Sequence, residues 1–347
     1  MIDARTTARK LLLAGAWWSG ASAIAAPFLA RAGAILMLHR ITAHDVSPLG
    51  LNSHLAVTPD FLDRLLADLK KRGASIVSMD ELTESLSKGR SRGAVALTAD
   101  DGWLDNLTEG LPVIEAHRAP MTIYVAPGLT DGSVAPWWEV VEEFVAARDS
   151  VTVPMDGKPV TFDCRTVEQS KRAAAALCRH VATAVPEREQ QAYLRDIGAL
   201  PDPADPRRFL NWDELRGLSA HPLISLGAHT VGHVNLKRMD AEDASDEIKE
   251  SAAIIERETG IGPKHFAYPY GFPAAVGARE VGLAAQAGFR SAVTTRHGVL
   301  HPDHALHMHS LPRISVNGNF QRLSYMRAML SGVVTPLANR GKRLVTV

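Results

Sequence analysis

From residue 34 onward, short apolar runs alternate with amphipathic stretches in which apolar residues recur every three or four positions. The first pattern suits buried strands and the second suits helices that cover them. Strands are predicted at 34–38, 75–77, 94–98, 121–125, 223–227, 265–268, 291–294 and 311–316, with helices at 59–71, 79–86, about 104–117, and 241–259. Thr58 is placed to cap the first of these helices, Pro59 occupies its first position, and Gly260 closes the last. Strands and helices in alternation wind into a parallel sheet or barrel. The expected fold class is therefore α/β: an irregular or incompletely closed (β/α)7-type barrel, with a helical insertion and an N-terminal apolar helix.

The rhythm breaks between residues 131 and 208. That stretch holds the pair Trp137 and Trp138, a polar hairpin-like piece around Asp156 and Gly157, two Ala- or Gln-rich helical runs, and a linker containing Pro201, Pro203 and Pro206. It reads as an insertion on the barrel. The division expected is an N-terminal helix over 1–33, a main domain over 34–320 that includes the insertion, and a C-terminal tail over 321–347. At the N-terminus, Arg5, Arg9 and Lys10 precede an uncharged stretch with small residues at 21–26, which fits an export signal. Trp17, Trp18, Ser19 and Gly20 interrupt its apolar core, and Pro27, Phe28 and Leu29 run almost directly into the first strand, which fits instead a helix covering one end of the domain or lying on a membrane surface. Both readings stand, so localisation stays open between a cytoplasmic or inner-membrane-associated protein and an exported one. The stretch is poor in Leu, Ile and Val for a spanning helix.

The chain has 347 residues, 46% of them hydrophobic, ample for a large core. Its 38 Lys and Arg balance 38 Asp and Glu, so no basic excess points to nucleic acid. Cys164 and Cys178 lack a CxxC spacing and a nearby His cluster, and are expected to be free thiols. Composition does not set the oligomeric state.

Three segments carry chemistry. Asp100 and Asp101 stand where the strand at 94–98 ends, the end at which a βα barrel builds its active site. One of two adjacent acids can bind a cation while the other takes a proton, although alone the pair also reads as a helix cap followed by a turn. His229 and His233 follow the strand at 223–227, and their i, i+4 spacing would place both imidazoles on one side of a helical turn. With Asp101 they make a two-His, one-carboxylate set suited to zinc, and also to iron, cobalt or nickel. Phe266 to Gly271 closes a strand with Pro-Tyr-Gly, a sharp turn that can aim a backbone N–H into a site.

In this order the three segments resemble the signature motifs of the polysaccharide deacetylase family, carbohydrate esterase family 4, which includes chitin, peptidoglycan and nodulation-factor deacetylases. The resemblance runs from about residue 36 to 316. It is greatest to the poly-N-acetylglucosamine deacetylase branch, through Leu36-Met37-Leu38-His39-Arg40, Phe266 to Gly271, and Ala292-Val293-Thr294-Thr295. It implies metal-dependent removal of N-acetyl groups from N-acetylglucosamine-containing oligo- or polysaccharides, with a glycan as partner and zinc as the first choice of divalent metal. Residue by residue it implies Asp100 as general base, Asp101, His229 and His233 as metal ligands, the Tyr270 N–H as an oxyanion donor, and His39 as general acid. Two positions depart from the pattern: Ala99 replaces the usual Phe, and Ala267 replaces an Arg that pairs with the base. Arg313 or Arg40 is the expected substitute partner. His304, His307 and His309 form a second cluster, read as a polar loop or an alternative acid. A metal-dependent amidase acting on a non-sugar amide, or a barrel that binds glycan without turnover, are the competing readings.

Overall fold

The computed structural model describes residues 4–24, 32–200 and 208–347; the Pro-rich linker and Pro27 to Leu29 lie outside the described residues. Strands β1 (Ala34–Leu38), β2 (Ser75–Val77), β3 (Ala94–Ala99) and β4 (Met121–Val125) precede a hairpin of β5 (Ser150–Met155) and β6 (Lys158–Asp163). Strands β7 (Ile224–Ala228), β8 (His265–Ala267), β9 (Ser291–His297) and β10 (Leu311–Ser315) follow. Seven of them pair in parallel in the ring β1–β10–β9–β8–β7–β4–β3, and β3 returns to β1 to close the barrel. All five residues of β1 and all six of β3 are buried, which is why these strands appear in the sequence as unbroken apolar runs.

The irregularity lies at β3. Strand β1 takes residues 95–99 along one edge, while the other edge is divided between β2, at Ala94–Ala96, and β4, at Leu97–Ala99. An eighth strand is thus wedged into the N-terminal end of the ring. Alternate positions of the strands, Ile35, Ala96, Tyr124, Ala267, Val293 and Leu311, form one buried cluster that fills the barrel. Gly227 makes room for it, because a Cβ there would stand 2.3 Å from the Tyr124 ring.

The outer helices follow their local signals. In α2 (Pro59–Lys71) the Thr58 hydroxyl accepts from Phe61 N–H, and Phe61, Leu62, Leu65, Leu66 and Leu69 form the buried face. Helix α9 (Ala241–Thr259) is capped by Asp240 and ends at left-handed Gly260. The helix expected over 104–117 is not uniform: a π-turn at Asn106–Gly110 leads into α4 (Leu111–His117). Pro112 lacks the N–H that a continuous α-helix would need there.

The inserted segment comprises α5 (Trp137–Ala146), the hairpin, α6 (Val167–Thr183) and α7 (Gln190–Asp196), packed around Val140, Val141, Leu177, Val181 and Leu194. Asp156 and Gly157 turn the hairpin with both residues left-handed, as a two-residue turn requires. Glu142 of α5 binds the segment to the loop after β1, accepting from Ser47 Oγ, Leu49 N–H and Asn52 Nδ2. Cys164 and Cys178 are free thiols.

The N-terminal helix α1 (Ala4–Trp18) packs on α11 (Leu323–Leu330), which is followed by a short α12 (Val334–Ala338). The residues expected to form a tail are therefore structured, because Met326, Ala328 and Met329 are buried in the main core. Leu13 joins that core, whereas Leu11, Leu12 and Trp18 are exposed. Among the described residues no helix is long and apolar enough to cross a membrane.

Candidate metal centre and active site

Asp100 and Asp101 leave β3 at the C-terminal end of the barrel, and a left-handed backbone at Asp101 (φ 75°) turns the two carboxylates to different partners. Asp100 faces Arg313 of β10 in a bidentate pair, with both N···O distances 2.7 Å. Arg313 is 1% exposed and also donates to Thr98 Oγ1 and the Thr294 carbonyl, so its guanidinium is fixed. Burial alone would raise the Asp100 pKa, but the Arg313 charge and its hydrogen bonds outweigh this and hold it below the ordinary carboxylate value. Of the two cations expected for the role lost with Ala267, the partner is Arg313. Arg40 instead pairs with Asp105 at 2.8 Å and lies over the Trp103 ring.

Asp101 turns to the histidines. Its Oδ2 accepts from Trp103 Nε1 at 2.9 Å, leaving Oδ1 3.3 Å from His229 Nε2 and 3.2 Å from His233 Nε2. The imidazoles beside it outweigh the opposing effect of burial and hold Asp101 well below the ordinary carboxylate value. His229 Nδ1 donates to the Ala267 carbonyl at 2.7 Å, which leaves Nε2 as its free lone pair. Asp101 Oδ1 and His229 Nε2 are buried without a hydrogen-bond partner, and the three ligand atoms lie within 4.8 Å of one another. Buried polar atoms left in this state are costly unless something else satisfies them. Separations of 3.2–3.3 Å are those that a shared ion about 2 Å from each atom would produce. The residues fit a divalent metal.

The backbone that presents the histidines is not the expected helical turn. Residues 229–235 form an irregular loop in which Thr230 (φ 60°) and His233 (φ 52°) are left-handed, a costly state for a β-branched residue. The loop is held from outside: Glu247 of α9 accepts from the Val231 and Gly232 N–H groups at 2.8 and 2.9 Å. The ring centroids still converge to 5.1 Å.

His39, just past β1, places Nε2 4.0 Å from Asp100 Oδ2. Burial lowers its pKa despite the two nearby carboxylates. Tyr270 lies in the turn after β8, its ring 5.4 Å from His233 and its hydroxyl accepting from Trp137 Nε1. That turn needs Gly271, since a Cβ there would stand 2.2 Å from Thr295 N. Trp138 packs 4.6 Å from the His233 ring. Trp212 opens α8 (Trp212–Ser219) and packs against the core. His304 and His309 lie apart in structural roles, bonded to the carbonyls of Val345 and Phe289. Sequence reasoning missed Trp103 and Glu247. Trp103 follows the Asp-Asp-Gly turn directly, a position close enough to have suggested contact, whereas Glu247 looks like any acidic residue on an amphipathic helix.

A parallel barrel thus sets a buried carboxylate–arginine pair beside an Asp, His, His cluster that can hold a metal. The polysaccharide deacetylase family model matches residues 160–292, a stretch that holds both histidines and the Pro-Tyr-Gly turn but not the two aspartates. The fold resembles the Streptococcus pyogenes deacetylase PplD in complex with acetate (TM-score 0.54, 20% identity, 85% of this chain and 97% of that one). It also resembles IcaB from Ammonifex degensii (TM-score 0.55, 17% identity, 86% and 97%) and a de-N-acetylase from Aggregatibacter actinomycetemcomitans (TM-score 0.51, 13% identity, 86% and 99%). At these identities the likeness is one of fold. No curated protein sequence matches the chain. The chain thus matches the polysaccharide deacetylase family model over residues 160–292 and resembles these solved structures in fold over most of its length.

Proposed function

We propose that this chain is a divalent-metal-dependent hydrolase that removes N-acetyl groups from N-acetylglucosamine units of an oligo- or polysaccharide, releasing acetate. The observation that carries the proposal is the placement of an ionised, arginine-held carboxylate, Asp100, directly beside the Asp101, His229 and His233 cluster. Zinc suits a ligand set of two imidazoles and one carboxylate best, and when bound it supplies Lewis-acid chemistry, acidifying water and drawing charge from an amide oxygen. Asp100 accepts the proton of the attacking water, and its pair with Arg313 keeps it ionised and fixed for that task. The Tyr270 N–H is the donor assigned to the charge that develops on the carbonyl oxygen. His39 delivers a proton to the departing sugar amine. Its lowered pKa leaves it neutral at rest, so within the turnover it takes the proton that Asp100 received from water, Oδ2 lying 4.0 Å from its Nε2, and Asp100 returns to its ionised form.

Two features favour a sugar over another amide. The buried Trp138 Nε1 has no acceptor among the described residues and is available to donate to a hydroxyl. A cavity of about 760 Å³, whose lining includes the charged Arg40, Asp105, Glu139 and Arg208, begins at Arg40, the residue after His39, and is large enough for a neighbouring sugar unit. The exposed Leu11, Leu12 and Trp18 further support contact of α1 with a membrane surface, which co-sedimentation with lipid vesicles would test. The test of function is acetate release by zinc-reconstituted protein from N-acetylglucosamine oligomers of several lengths. Activity absent from the His229→Ala variant is expected; no release from any oligomer would end the proposal.

A further inference from the structure

A second cavity, of about 260 Å³, lies at the same end of the barrel against α1, and its lining includes Arg9, Thr295, His297, Arg313, Ser315 and Asn317. No carboxylate is among its described lining residues, in a chain whose charges balance overall. Arg313 is neutralised by Asp100, but Arg9 reaches in from α1 over the Phe320 ring and has no carboxylate partner among the described residues. His297 Nε2 is buried and has no hydrogen-bond partner among the described residues. Ser315 Oγ accepts from Asn317 Nδ2 at 2.8 Å, which leaves its proton free to donate. Three polar groups from three elements therefore line one space with no carboxylate among the described residues to receive them. Of these only His297 Nε2 is buried, and a buried polar atom in this position is normally matched by a ligand or by ordered water, while Arg9 closes the space from its exposed side. The space equals the volume of roughly nine liquid waters, ample for a tetrahedral oxyanion.

We propose that this cavity is a binding site for an oxyanion of the phosphate class, held by Arg9, His297 and Ser315 and separate from the metal centre. The guanidinium of Arg9 supplies the charge and the imidazole and hydroxyl supply directed hydrogen bonds, a combination that recognises phosphate oxygens well. Because α1 contributes Arg9, a bound anion also ties that helix to the barrel. The anion can be free phosphate or a phosphate carried by a substrate; only the second source rests on the function proposed above.

Calorimetric titration of the full chain with inorganic phosphate at low ionic strength tests the site, with N-acetylglucosamine 1-phosphate as a parallel arm. One saturable site is expected, weakened fivefold or more in Arg9→Gln and in His297→Gln. Arg9→Gln lies on the surface of α1 and should keep the melting temperature of the parent. Equal affinity for the two ligands assigns the site to free phosphate, and tighter binding of the sugar phosphate assigns it to a substrate group; either supports the proposal. No saturable binding, binding unchanged in both variants, or binding lost in His229→Ala, which would place the anion at the metal centre, overturns it. None of these results depends on whether acetate is released.

Discussion

Asp100 and Asp101 are neighbours in the chain, equally buried, and committed to different partners. The division matters energetically because a carboxylate removed from water must be paired or coordinated to stay charged. Asp100→Asn should keep the shape of the site and its zinc content while lowering kcat about 10²–10⁴-fold, the usual contribution of an acid–base group, as steady-state kinetics alongside metal analysis would show. An unchanged kcat would remove Asp100 from the chemistry. Arg313→Met leaves Asp100 uncompensated in the interior and should cost about 3–5 kcal/mol in urea denaturation. The double variant Asp100→Asn, Arg313→Met should be less destabilised than the single Arg313→Met, because no buried charge then remains. Equal losses would mean that Arg313 acts by packing alone.

At the scale of elements, the strand ends were legible and the loops beyond them were not. Buried parallel strands announce themselves as apolar runs, so the positions of Asp100, His229 and the Pro-Tyr-Gly turn followed from where those runs stop. The i, i+4 spacing of His229 and His233 suggested a helix, but a loop bent by two left-handed residues brings the same two rings together, and nothing in a threonine or a histidine signals that backbone. The information lies in a distant helix: Glu247 gathers two loop N–H groups and holds the bend. Glu247→Ala should therefore weaken zinc affinity about 10–100-fold, the usual cost of removing a group that orients metal ligands, measured by competition with a chelator. Glu247→Gln, which keeps an accepting oxygen, should lose less. If Glu247→Ala binds zinc like the parent, the loop is held by other contacts.

The barrel as a whole depends on histidines that have no part in the site. His304 is fully buried: Nδ1 accepts from the His301 N–H at 2.7 Å, with the His301 carbonyl 3.2 Å away, and Nε2 donates to the Val345 carbonyl at 3.0 Å, which anchors the C-terminal residues. His265, 3% exposed at the start of β8, bonds Ser291 through Nδ1. Burial pushes both imidazoles down to about 4, and at His265 this outweighs the attraction of Asp80, 3.4 Å away. Sequence placed His304 in a polar loop because its partner, a backbone carbonyl 41 residues further on, is invisible to local pattern. Between pH 6.5 and about 4 the unfolded chain binds a proton at each of these residues and the folded chain does not. Stability is thus fully present above 6.5 and falls as pH drops through that window, by roughly 3 kcal/mol per residue at ~1.4 kcal/mol per pH unit. Urea titrations of metal-stripped protein at pH 7.5 and 4.5 isolate this effect from loss of the ion. His304→Gln, whose amide can both accept from His301 and donate to Val345, should be markedly less sensitive to acid than the parent. Identical losses in the two proteins would show that His304 already carries its proton in the folded state, and that acid lability arises elsewhere in the barrel.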